Sequence, residues 1–135
     1  MHTLGQIRLI QCSAEKQTGN PGLLYTMKAS DFLLVLCTCP PGRTAEHLAQ
    51  SLVEGRLAAC VNITSPVTSI YRWKNNIEKD EEALLVIKTS AAGWPALEQA
   101  ILELHPYELP EIIALPLSGG NERYLNWVGD NLCTD

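Results

Sequence analysis

Hydrophobic residues in this chain fall into two kinds of run, continuous and periodic. Phe32-Leu33-Leu34-Val35-Leu36-Cys37-Thr38 and Ala83-Leu84-Leu85-Val86-Ile87 are continuous, the pattern of central strands covered on both faces. Ile112-Ile113-Ala114-Leu115 is a shorter run of the same kind, closed by Pro116 and then Gly119-Gly120. Between these lie helical periods. Ala45, Leu48, Ala49, Leu52 and Val53 are spaced i, i+3, i+4, i+7 and i+8, which makes one core-facing stripe. That helix is expected to start at a Thr44 cap and to stop at Gly55 in the left-handed conformation. A second helix is expected from about Ala92 to Leu104, with Pro95 in its first turn and Trp94, Leu97, Ala100, Ile101 and Leu104 buried. Asn121 stands where it can cap a terminal helix with Tyr124, Leu125, Val128 and Leu132 on one side.

The stretch from Leu57 to Thr89 reads as a long hairpin with a tight polar turn at Lys74-Asn75-Asn76, where Asn tolerates positive φ. Val67, Ser69, Tyr71 and Trp73 share one face of the incoming arm, and Thr68, Ile70 and Arg72 the other. Pro66 predicts a bend or bulge. The outgoing arm is mostly charged from Ile77 to Glu82 and wholly apolar from Ala83 to Ile87, so its first half projects past the domain. A lone projecting hairpin is barely stable and its edges invite pairing, which makes this element a prediction of self-association.

The order is strand, helix, strand, strand, helix, strand, then an extra helix. This is an α+β fold, the ferredoxin-like βαββαβ arrangement of an antiparallel sheet with helices on one face. Right-handed crossovers place the first and third strands side by side at the centre, where the two continuous apolar runs belong. The expected domain covers residues 30–135. Residues 1–29 are an extension without a sustained period, interrupted by Gly19-Asn20-Pro21-Gly22. Ile7-Arg8-Leu9-Ile10 is its one candidate strand, and Met27 is a candidate alternative start.

Composition narrows the function. With 135 residues, 46% apolar and 19% charged, the chain has the make-up of one globular domain. A net charge of −5 and the lack of a basic stripe argue against nucleic acid as a partner. No apolar run reaches the roughly 18 residues of a membrane span, and no signal-peptide core is evident, so the expected location is cytoplasmic. Cys12, Cys37, Cys39, Cys60 and Cys133 lack the spacing of a disulfide scaffold and read as thiols, mostly buried.

Two stretches could carry chemistry. Cys37-Thr38-Cys39 ends the first strand, and i and i+2 point the same way in extended chain, so two sulfurs could meet on one soft ion such as Cu(I) or Zn(II). The bland reading is a pair of thiols buried beneath the first helix. His105-Pro106-Tyr107-Glu108-Leu109-Pro110-Glu111 presents a histidine, a tyrosine and carboxylates from a proline-restricted loop; its bland reading is a rigid connector. Glu78, Asp80, Glu81 and Glu82 read as a solvated, self-repelling segment facing Arg72 across the hairpin. His47 falls on the polar side of the first helix. Tyr71, Trp73, Tyr124 and Trp127 read as core or interface anchors. There is no Gly-rich phosphate loop and no Ser/His/Asp set, so no enzyme activity is expected.

Taken together, LVLCTCP, EGRLAACVNI, SIYRWKNNIEKDEE, LLVIKT, HPYELPEIIALP and YLNW resemble the CutA family of divalent-cation tolerance proteins, over about residues 32–129. The resemblance implies a homotrimer whose hairpins pair between subunits, with Tyr71, Trp73 and Trp127 at the interface, and binding of copper or other divalent metal ions. Cys37, His105 and Glu111 match family positions proposed as copper ligands, and Cys39 adds a thiol. Where some relatives carry a second histidine before the His-Pro pair, this chain has Leu104. The expected metal set is therefore Cys37, Cys39, His105 and Glu111. The alternative is a trimeric scaffold similar to PII signalling proteins, with an anionic effector in an intersubunit cleft lined by Lys88, Tyr107 and Arg72.

Overall fold

The structure is a computed structural model that describes residues 27–133. The expected strand at Ile7–Ile10 and the rest of the extension up to residue 26 lie outside the described residues, whereas Met27 and Ala29, at its end, are described and pack on the cluster around Phe32. Within them, a short 3-10 turn (Ala29–Asp31) leads into β1 (Phe32–Cys39), α1 (Arg43–Glu54), β2 (Cys60–Ile63), β3 (Val67–Trp73), β4 (Asn76–Ser90), α2 (Trp94–Leu104), β5 (Ile112–Pro116) and α3 (Glu122–Asp130). The sheet order is β2-β4-β1-β5, with β3 also on β4, and every pairing is antiparallel. The two continuous apolar runs, β1 and β4, are the central strands of a ferredoxin-like sheet.

Strand β4 has two halves with different partners. Ala83–Ser90 pairs with β1, from Cys39↔Ala83 to Phe32↔Ser90. Asn76–Glu82 pairs only with β3, so seven residues of β4, about 23 Å at the usual rise of a strand, run beyond the end of β1. Lys74 and Asn75 close the hairpin with φ of 48° and 69°, the two consecutive left-handed residues of the turn that matches strand twist. Asn76, expected in the turn, is the first residue of β4.

The interruption expected at Pro66 is a bulge. From Ile63↔Leu85 to Val67↔Glu82, four residues on the incoming arm span three on β4. Thr64 fills the gap twice: its N–H donates to Leu84 O at 3.1 Å, and its Oγ1 accepts from Leu84 N–H at 3.0 Å.

Helices α1 and α2 cover one face of the sheet. Val35, Cys37, Cys39, Leu85 and Ile87 meet Ala45, Leu48, Leu52, Leu97 and Ile101 there, all but fully buried. A smaller cluster of Phe32, Ala59, Leu125, Val128 and Leu132 seats α3. The opposite face departs from the expectation that the central strands are covered on both sides. Leu34, Leu36, Leu84 and Val86 are only partly buried, and Ile113 and Leu115 are 47% and 42% exposed. Two helices suffice for one face and α3 reaches only one end of the other.

Three local expectations are corrected. Thr44 lies inside α1, whose N-cap is Gly42 at φ 84° with no side-chain cap bond. Val53 is 41% exposed, past the end of the buried stripe. Gly55 has an ordinary φ of −77°, and Arg56 carries the left-handed φ of 56°. The bonds explain the displacement. Leu57 N–H reaches Leu52 O at 3.0 Å and Arg56 N–H reaches Val53 O at 3.1 Å, the paired ending that puts the left-handed residue one place after the cap. At the other helices, Pro95 sits in the first turn of α2, and Asn121 caps α3 by accepting from Tyr124 N–H at 3.0 Å.

Arg56 holds a conformation that costs a residue with a Cβ about 1–2 kcal/mol. Arg56→Gly is expected to raise stability by about 1 kcal/mol after the greater chain entropy of glycine is deducted. Gly55→Ala, at an ordinary φ, is expected to be nearly neutral. Urea-unfolding midpoints of the two variants check both outcomes, and the reverse ranking would refute the assignment of the cap.

Candidate functional site

The site residues converge where β1 ends, because three short-range features meet there. β1 stops at Cys39 against Pro40-Pro41, the loop after α2 returns to start β5, and β4 passes from its apolar to its charged half. Cys37 stands opposite Leu85 and Ile112, and Cys39 opposite Ala83. Both sulfurs lie on the helix-covered face as free thiols, as the i, i+2 spacing requires.

Their surroundings disfavour ionisation. Burial, followed by Cys39, Glu111 and Glu82, pushes the Cys37 thiol up to about 12. Burial and then Glu82 push Cys39 up to about 11. Glu82 is the residue missed in the sequence, where it reads as part of a solvated acidic segment. It is 6% exposed and lies near enough to the Tyr107 hydroxyl to act on it. Burial, then Glu82, pushes Tyr107 up to about 12. Its signal was position: Glu82 directly precedes the apolar half of β4, where the bulge turns the strand back into the sheet. Farther along the hairpin, the Tyr71 hydroxyl donates to the Asp80 carboxylate, and that bond is the first cause raising Tyr71 to about 12.

His105 locks the connecting loop to β1. Its Nε2–H donates to Thr38 O at 2.7 Å, and its Nδ1 accepts from Tyr107 N–H at 3.1 Å. The amide can only donate, so the ring is the Nε2–H tautomer and both nitrogens are engaged. The Cys37 thiol shares the same carbonyl, with Sγ 3.7 Å from Thr38 O. The Tyr107 ring lies 4.7 Å from the imidazole, tilted by 57°.

Of the sequence-derived metal set, the structure thus brings Cys37, Cys39 and His105 around one strand end, with Glu111 near enough to act on Cys37. Among the described residues no three Cys, His, Asp or Glu side chains form a preformed ligand group. The cleft set is dispersed. Tyr107 belongs to this same end. Arg72 pairs with Ile77 near the hairpin tip, whereas Lys88 pairs with Cys60 eleven residues farther along β4, roughly 36 Å away. Arg72 faces no carboxylate in register. His47, as expected, is exposed. Tyr71, Trp73, Tyr124 and Trp127 are exposed in the protomer, so none is a core anchor. Cys133 is disulfide-bonded, against the expectation of thiols throughout.

The two raised thiols have a consequence for stability. In the unfolded chain they lose their protons near 8.5, below the values they hold when folded. Their contribution is therefore complete below about pH 8.5 and drains as pH rises through about 11 and 12. The stability gap between the wild type and a Cys37→Ala/Cys39→Ala variant is expected to narrow between pH 8 and 10.5, measured by urea midpoints. A constant gap would mean that the thiols ionise as freely folded as unfolded.

Comparisons with known proteins agree with this architecture. The family model described as CutA1 divalent ion tolerance protein matches residues 33–131. The divalent-cation tolerance protein CutA of Thermus thermophilus is 48% identical over 98 residues, which cover 73% of this chain and 95% of that protein. Protein CutA of Mus musculus is 50% identical over 91 residues; the match covers 67% of this chain and 51% of the mouse protein. The crystal structure of CutA1 from Oryza sativa superposes with a TM-score of 0.76 at 36% identity, over 80% of this chain and all of that one. No helix among the described residues is long and apolar enough to cross a membrane. With the family model spanning most of the described residues and the fold matching at the level of sheet and helices, the chain belongs to the CutA1 divalent ion tolerance protein family.

Proposed function

We propose that the chain works in the cytoplasm as a homotrimeric, non-enzymatic protein of divalent-cation tolerance, taking copper or another thiophilic ion as cargo at Cys37 and Cys39. The observation that carries the ion reading is the pair of free thiols on one face of β1, with the Glu82 and Glu111 carboxylates acting on both or one of them. Two sulfurs suit Cu(I), which accepts few and soft ligands. A bound cation reverses the local preference: positive charge takes the place of the protons, and the same carboxylates that oppose a bare thiolate favour the loaded site. Glu111 is the further donor. His105 joins only by releasing Thr38 O or Tyr107 N–H, so its first role is to hold the loop against the strand.

The trimer reading is supported by what the protomer leaves uncovered. The open sheet face of Leu34, Leu36, Leu84, Val86, Ile113 and Leu115 is apolar, and burying such surface contributes about 25 cal/mol per Å². The projecting hairpin exposes Ile70 by 68% and Ile77 by 62%. Tyr71, Trp73 and Trp127 are the aromatic anchors for this interface. The other reading, an anionic effector held by Lys88, Tyr107 and Arg72, needs residues from more than one copy, since Lys88 and Arg72 lie at opposite ends of β4.

Light scattering is expected to give the mass of three chains at micromolar concentration. Leu36→Glu with Ile113→Glu is expected to reduce it to one, and a monomeric wild type would refute the assembly. A Cu(I) competition titration of the reduced protein is expected to give about one ion per chain, lost in either Cys37→Ser or Cys39→Ser. Weak binding unchanged by both substitutions would exclude copper as the cargo of this site and leave the cleft to be titrated with anions.

A further inference from the structure

A groove of about 100 Å³ lies at the end of the sheet, apart from the strand end already described. Leu57, Ala96 and Leu132 line it, with Arg56 and Cys133 beside them. It lies on the side of Thr89, which is buried under the helices as Leu85 and Ile87 are, and so away from the open sheet face given to the trimer. Room of this size suits one aliphatic side chain, since about 150 Å³ takes up a benzene ring. The Cys133 backbone is fixed there, its N–H donating to Arg56 O at 2.9 Å.

Cys133 is disulfide-bonded, whereas Cys37, Cys39 and Cys60 are free thiols, the last beside the Lys88 amine. The chain has five cysteines, which leaves Cys12 as the one partner it can offer. Chain length permits the closure. Met27, where the described residues begin, packs on the cluster that holds Phe32 and Leu132. Phe32 pairs with Ser90, which also lines the groove. The extension therefore sets out from the same end of the sheet. The fifteen residue steps from Met27 back to Cys12 reach about 50 Å when extended, far more than a return to that end requires.

We propose that this groove is the docking site of the chain's own N-terminal extension, tied down by a Cys12–Cys133 bridge with Ile10 seated among Leu57, Ala96 and Leu132. The apolar run Ile7-Arg8-Leu9-Ile10 ends one residue before Cys12, so a bond at Cys12 keeps Ile10 within about 7 Å of the tether. In extended chain Ile10 and Cys12 point the same way, and a Cys12 turned to Cys133 turns Ile10 to the groove. The bridge is reversible. A thiolate of a dithiol reductant attacks one of its sulfurs, the S–S bond breaks, and the other protein sulfur leaves and takes up a proton. The reductant's second thiol then displaces the first sulfur, which is protonated in turn. The protein gains two electrons and two protons, and the reductant departs as a cyclic disulfide. The extension covers the groove when the bridge is closed, and in a compartment that keeps thiols reduced it uncovers it.

The test uses the full-length protein isolated without reductant. Peptide mapping of the unreduced, alkylated protein is expected to give one Cys12–Cys133 peptide pair per chain. Trypsin reads the docking, because Arg8 lies inside the apolar run. Cleavage after Arg8 is expected to be at least about 10-fold slower than in Cys12→Ser or after treatment with dithiothreitol, since a segment held against the body resists nicking. Ile10→Asp, which keeps the bridge, and Ala96→Glu, which fills the groove, are each expected to raise cleavage to the Cys12→Ser rate. If Ala96→Glu lowers the urea midpoint, Ile10→Asp decides alone. An alkylated Cys12 in the unreduced protein, a bridge between Cys133 of two chains, or cleavage after Arg8 as fast in the bridged wild type as in Cys12→Ser would each overturn the proposal. So would cleavage indifferent to Ile10→Asp, the mark of a bridge without docking.

Discussion

Everything in this fold hangs on the backbone ladder of β4. Its fifteen residues hold β1 on one side, β2 and β3 on the other, and among the described residues no other strand touches three partners. Because a strand alternates its side chains, one continuous β4 fixes which residues face the helices and which do not, from the hairpin to the sheet. The helices then have no choice of face. Leu85 and Ile87 bring Val35, Cys37 and Cys39 with them onto the covered side, and the thiols are buried as a by-product of register.

That same register accounts for what could be read in advance and what could not. The continuous apolar runs of β1 and β4 identified the central strands, and the 3.6-residue stripe of Ala45, Leu48, Ala49 and Leu52 identified α1. Continuity did not distinguish a face covered by helices from an apolar face that is open in a single copy, because both need apolar residues. Arg56 escaped notice because glycine is the usual residue in a left-handed cap and a glycine stood next to it. Straight counting of alternate residues from β2 would also misplace the hairpin. Cys60 and Asn62 share a face of β4 with Tyr71 and Trp73, although one pair is even-numbered and the other odd, since the bulge intervenes.

At the strand end, residue types were legible and their states were not. The cysteines, the histidine and the tyrosine announced themselves as chemistry. That the imidazole reaches Thr38 O, and that Glu82 turns inward beside Tyr107 while Asp80 and Glu81 stay exposed, depends on contacts between segments more than twenty residues apart. The two thiol environments of the chain make the same point. Cys39 and Cys60 are the same residue type at strand ends, yet one is faced by a buried carboxylate and the other by an amine.

The bulge at Thr64–Pro66 also has a consequence for how such a chain can change. Since Leu85 and Glu82 on β4 keep their partners Ile63 and Val67, the three residues between those partners are a slack segment between two fixed registers. One residue can be lost or gained there with every pair in β2 and β3 retained, at the expense of the two bonds that Thr64 makes with Leu84. The hairpin arm and the body of the sheet are thereby free to vary in length independently, and a coding insertion that would scramble a plain two-stranded ladder is absorbed within a single kink.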